Sequence, residues 1–134
     1  MNENDVVLES VIYTIDKVDA LEMDITLNVK GMVITGLLVS KSAYLKGSAS
    51  TFEGKGEVGD VLSDMFLNLV EFQKDALGEE HTKITDDEDK SVYGVHLKNA
   101  QIIDGESIHN VGYWRGKLSS VDGFNFGQLV RRQN

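Results

Sequence analysis

Between Met23 and Ser40 the chain reads MDITLNVKGMVITGLLVS, and this stretch constrains the fold more than any other. Met23, Ile25, Leu27 and Val29 alternate with Asp24, Thr26, Asn28 and Lys30, the period of a strand with one apolar and one polar face. Lys30 and Gly31 then reverse the chain. With these two residues as the loop, Leu27 faces Ile34, Ile25 faces Gly36 and Met23 faces Leu38. The apolar faces of both strands therefore coincide, and the rest of the chain is predicted to pack around this hairpin.

Upstream, residues 5–21 carry Val7, Leu8, Val11, Ile12, Ile15 and Val18 at the spacing of an amphipathic helix, with Asp5 as its N-cap. Downstream, Ser40 is placed to cap a short helix over 41–50 that turns Ala43 and Tyr44 inward and frays at Gly47. Gly54, Gly56 and Gly59 have the G-x-G-x-x-G spacing of a dinucleotide site. No apolar strand leads into them, and Glu57 and Asp60 put negative charge where a pyrophosphate must sit, so they read as a flexible joint. A long helix follows. Val58, Val61, Leu62, Met65, Phe66, Leu69, Val70 and Phe72 to Leu77 hold a broad apolar face, with Gly78 positioned to end it, and this face is predicted to roof the hairpin.

The charged run 79–90 reads as a mobile surface loop, without the ligand spacing of a calcium site. Beyond it, Tyr93, Val95 and Leu97 alternate with Val92, Gly94, His96 and Lys98 until the phase shifts near Asn99, so that Ala100 and Ile102 point inward, as a bulge allows. Asp104-Gly105 marks the exit. The stretch 111–121 sets Trp114, Gly116 and Leu118 on one face and Tyr113, Arg115 and Lys117 on the other. Asp122-Gly123 reads as a turn into Phe124, Phe126 and Leu129, which fold back as a short strand or closing turn. Gly36, Gly94 and Gly116 interrupt apolar faces, where a bulge or a neighbouring aromatic such as Trp114 or Tyr93 fills the gap. The predicted fold is α+β: a mainly antiparallel four-stranded sheet of two hairpin-like strand pairs packed against the long amphipathic helix, with an N-terminal helix. It forms one domain over 1–134 with a mobile acidic loop at 79–90.

Composition excludes several functions. Against 22 acidic residues stand 13 basic ones, a formal net charge of −9, which repels nucleic acid and anionic lipid. The chain has no cysteine, which points to a reducing cytoplasm and removes thiolate metal sites. MNENDVVLES lacks the basic flank and apolar core of a signal peptide, and no window has the apolar length of a membrane span. His81, His96 and His109 show no zinc spacing, and no nucleophile elbow or phosphate-binding lysine motif is present. No catalytic residue, metal ligand or cofactor site is therefore predicted. The polar face holding Tyr113, Arg115 and Lys117, together with Phe124, is a candidate protein-contact surface, because aromatics and Arg are enriched at contact hot spots.

DITLNVKGMVITG (24–36), HLKNAQI (96–102) and WRGKLSSVDGFNFG (114–127) resemble, in the same order, three blocks of the gas vesicle accessory protein GvpU family. The resemblance implies a non-enzymatic, cytoplasmic accessory protein at the surface of gas vesicles, acting in their assembly or clustering through contacts with shell or other vesicle proteins. Members of that family continue into a Ser- and Lys-rich tail, whereas this chain stops at Arg131-Arg132-Gln133-Asn134. If the tail drives self-association, the expectation is a weaker association or one through another surface. Hairpin edges without proline favour edge-to-edge pairing, so a homodimer or larger assembly is expected. The alternative is a small-ligand domain or enzyme, with a pocket between sheet and helices lined by His96 and buried carboxylates.

Overall fold

The computed structural model describes residues 5–18, 20–83 and 94–128, with backbone alone over 73–83. Its chain order is α1 (Val6–Asp16), β1 (Met23–Val29), β2 (Met32–Leu38), α2 (Lys41–Phe52), α3 (Gly56–Lys83), β3 (Gly94–Asp104), β4 (Ser107–Lys117) and β5 (Val121–Phe126). A single 3-10 turn, Leu118–Ser120, joins the last two strands. The chain divides into two compact units: residues 1–40 with 92–134, which carry α1 and the sheet, and residues 41–91, which carry α2 and α3.

The hairpin forms in the expected register, with Leu27 opposite Ile34, Ile25 opposite Gly36 and Met23 opposite Leu38. Lys30 and Gly31 take positive φ angles of 52° and 87°, the two-residue turn whose twist matches that of the strands. Positive φ is unfavourable for a lysine, and the loop is pinned from outside. Its Lys30 N–H donates to Asp122 Oδ2 at 2.8 Å, and Gly31 N–H donates to Asn28 Oδ1 at 3.1 Å. Ile25, Leu27, Ile34 and Leu38 are fully buried, each worth about 1.5–3 kcal/mol relative to exposure.

Five strands form the sheet, in the order β4-β3-β2-β1-β5, all pairs antiparallel, where four were expected. The added strand is β5, which pairs with β1 and contains Asp122-Gly123, the dipeptide expected to make a turn. Asp122 instead sits at a bulge, where its carboxylate serves the hairpin loop. The expected bulge in β3 is present: Asn99 has φ 52°, and the pairing slips between Leu97 and Ala100. There the β3 backbone lies so close to Gly36 that an added Cβ would come within 3.1 Å of Ala100 Cα and Lys98 O. At Gly116, the Trp114 ring occupies the space that a Cβ would need. Ser91, Val92 and Tyr93 lie outside the described residues.

β4 and β5 are the two edges of the sheet, yet only Leu118–Ser120 separates them in sequence. The edges of a flat sheet of this size would be about 19 Å apart at the usual strand spacing. The four steps from Lys117 to Val121 advance only about 8 Å at the 3-10 rise. The sheet is therefore strongly curled, bringing the end of β4 near the start of β5, and buried Leu118 closes that end.

The helix that belongs to this unit's buried core is α1. Leu8, Ile12 and Ile15 cluster with Ile25, Leu27, Ile34, Leu38, Val95, Leu97, Ala100 and Leu118. Asp5 caps α1 as expected, accepting from Val7 N–H at 2.8 Å and Leu8 N–H at 3.2 Å. The helix ends at Asp16, five residues before the expected limit at Leu21, and Val18 is exposed. Residues 17 and 18 close with i→i−3 bonds, Lys17 N–H to Thr14 O and Val18 N–H to Ile15 O, which tighten the last turn.

In the second unit, α2 runs through Gly47 to Phe52, and its buried residues are Ser42, Leu45, Ser48 and Ala49 rather than Ala43 and Tyr44. Gly54 and Gly56, at φ 78° and 88°, turn the chain from α2 into α3. Small residues let the two helices approach closely: a Cβ on Gly59 would lie 2.6 Å from Phe52 O. The Phe52 and Phe66 rings stack at 5.9 Å and 6°. α3 continues past Gly78 to Lys83, so 79–83 of the expected loop are helical and 84–90 lie outside the described residues. Of the residues expected to form its core face, Val70 is buried, whereas Val58, Val61, Met65, Leu69 and Phe72 are exposed.

Candidate contact surface

Strand pairing sets which β4 side chains point together. Trp114 lies opposite Leu97 and Gly116 opposite Val95, on the core side of the sheet. Arg115 lies opposite His96 and Lys117 opposite Gly94, on the other side. Alternation along the strand adds half-buried Tyr113 to that second face, where Arg115 and Lys117 are exposed. Lys98 joins it from β3. Its Nζ donates to Glu22 Oε2 at 3.0 Å, and the hydrogen bond and charge of Glu22, with a lesser contribution from Tyr113, raise the Lys98 pKa. Tyr113, Arg115, Lys117 and Lys98 thus gather on the outer face of one edge, a basic group on a chain with net charge −9.

The same strand offers its backbone. β4 spans 11 residues without proline and, among the described residues, pairs on one side only. About half of its N–H and C=O groups therefore point away from the sheet over ~35 Å, a template for a further strand. Exposed Val111 and His109 lie along it, and Gly112, at φ 74°, marks a slip in its pairing with β3.

Phe124 is not brought into this group. It lies in β5 at the opposite edge, opposite Leu27, and its half-buried ring packs on the core cluster and meets Phe126 edge-on at 5.5 Å and 71°. Phe126 is the more exposed ring of that pair. Sequence patterning carries no sign of this split, because alternation orders residues within a strand and is silent on which edge the strand joins.

A ligand pocket finds less support in the described geometry. His96 is buried, and a Cβ on Gly94 would fall 3.1 Å from its ring, so that space is filled. A recess of about 280 Å³ lies between α1 and the approach to β1, lined by Ser10, Val11, Thr14, Ile15, Leu21, Glu22 and Met23. A second, of about 260 Å³, lies over β5, β1 and β2 around Thr26, Asn28, Val33 and Asn125. Neither includes His96 or a buried carboxylate. Among the described residues no cluster of His, Asp or Glu is arranged to hold a metal, and no helix is long and apolar enough to cross a membrane.

Residues 5–129 match a family model described as gas vesicle protein GvpU-like. No curated protein and no solved structure matches the chain.

Proposed function

We propose that this chain, which belongs to the gas vesicle protein GvpU-like family, is a non-enzymatic accessory protein that works at the vesicle surface in the cytoplasm. Family membership makes it a gas vesicle-associated protein. The finer reading is that it joins vesicle proteins to one another, in assembly or clustering, through the open edge and basic face of β4. The observation that carries it is the concurrence, on one edge strand, of outward-pointing backbone groups with Tyr113, Arg115 and Lys117. An open edge supplies affinity through main-chain bonds, and the side chains beside it supply selectivity. The same edge suits a second copy of the chain, giving a homodimer or larger assembly.

Co-sedimentation with purified vesicles tests the reading. The wild-type chain should pellet with vesicles. Arg115→Glu with Lys117→Glu should stay in the supernatant while keeping its unfolding midpoint, because both side chains are exposed. Unchanged pelleting of the double variant would refute docking through β4. Light scattering of the same samples should show a species larger than a monomer, and a strict monomer at high concentration would refute the self-association.

A further inference from the structure

α3 is apolar on a broad front, and only one side of that front is used within its own unit. Gly59 and Phe66 meet α2 directly, and Ser63 and Val70 complete that buried side. The other side carries a stripe of Val58, Val61, Met65, Leu69 and Phe72, with exposures of 73%, 67%, 43%, 43% and 72%. At about 100° per residue these five fall within an arc of about 80°. Their spacings of three and four are those of a seam made for another helix.

The charges beside this seam identify its occupant. Glu57, Asp64 and Glu71 fall on the adjoining arc, with Asp60 beyond them accepting from the Gly54 N–H of the α2–α3 turn at 3.1 Å, and no Lys, Arg or His occurs between Gly56 and Phe72. An exposed apolar stripe flanked by acidic side chains, with Leu67 and Asn68 between Asp64 and Glu71 and no basic residue, is complementary to an amphipathic helix with Lys or Arg along one flank. A second copy of α3 fits poorly, since antiparallel pairing through the stripe lays one acidic row against the other. Anionic lipid is repelled by the same row.

We infer that the Val58–Phe72 stripe of α3 is a docking groove for a basic amphipathic helix of a partner protein. Apolar side chains of the partner cover Val61, Met65 and Phe72, while its basic row pairs with Asp64 and Glu71. The groove lies wholly within the α2–α3 unit and does not depend on the β4 reading.

Fluorescence anisotropy on the full chain tests this with a pair of labelled peptides of about 18 residues, ~27 Å as helices. Both carry Leu at helical spacing; one has Lys along a flank and its twin has Glu. The Lys peptide should bind, and binding should weaken as salt rises. Val61→Glu with Phe72→Glu should reduce its affinity at least about tenfold without shifting the unfolding midpoint, both positions being exposed. Asp64→Lys with Glu71→Lys should invert the preference, so that the Glu peptide binds better. Arg115→Glu should change nothing in this assay. Failure of the Lys peptide to bind, equal binding of both peptides, or indifference to Val61→Glu with Phe72→Glu would overturn the proposal. So would loss of a self-associated species in that variant without peptide binding, which would assign the seam to a second copy.

Discussion

Gly116 and Trp114 offer a perturbation whose sign depends on its background. The Trp114 indole lies over Gly116, where a Cβ would meet ring atoms Cη2, Cζ2 and Cζ3 within 3.1 Å or less. Gly116→Ala must displace a ring that packs on the core cluster, and overpacking of this kind costs about 1–3 kcal/mol. Complete burial makes Trp→Ala worth about 3–5 kcal/mol, so half-buried Trp114 should lose ~2–3 kcal/mol on truncation. Without the ring, Gly116→Ala meets no obstacle and gains the ordinary advantage of Ala over Gly in a strand, about 0.5–1 kcal/mol. Urea unfolding of the four members of the cycle should therefore show the same substitution destabilising the wild type and stabilising Trp114→Ala, a coupling of roughly 1.5–4 kcal/mol from those two terms. An equal cost in both backgrounds, or none in the wild type, would refute the placement of this ring over Gly116.

Gly31→Val should destabilise the sheet unit by about 1–3 kcal/mol in thermal unfolding, because φ 87° excludes a β-branched side chain. An unchanged midpoint would contradict the turn geometry. Glu22→Gln should lower the Lys98 pKa toward its ordinary value of 10.5, followed by NMR titration of the side chain. Because the folded-state pKa is raised, the stabilisation this pair gives is present below 10.5 and lost as pH rises through the raised value, so wild type and Glu22→Gln should converge in stability there. Divergence with rising pH would refute the assignment.

Local patterning made the hairpin legible down to its register, since turn and alternation agreed across Met23–Leu38. The β3 bulge at Asn99 was legible for a related reason: when the apolar residues of an alternating strand change phase, one extra residue must be accommodated for them to stay on the core face. Where two rules competed, the sequence misled. Asp122-Gly123 has turn chemistry, yet the turn falls at Leu118–Ser120, and the Asp122 carboxylate accepts from the Lys30 N–H at a distance in sequence that no local rule reaches. Periodicity also marked α3 as apolar on a broad front without distinguishing the side packed on α2 from the side left exposed. α1, rich in β-branched residues and weaker by propensity, supplies the helical part of the sheet core because Leu8, Ile12 and Ile15 are held there by tertiary packing. Of the candidate contact residues, alternation grouped Tyr113, Arg115 and Lys117 on one face, whereas the edge taken by Phe124 is set by strand order.

Hydrogen–deuterium exchange of the chain with and without purified vesicles tests the contact surface most directly. Docking through the open edge predicts slower exchange of the amides of Ser107–Lys117 that face away from β3 when vesicles are added, and no such slowing with Arg115→Glu and Lys117→Glu in place. Exchange along β4 that is identical with and without vesicles, while the chain sediments with them, would contradict it.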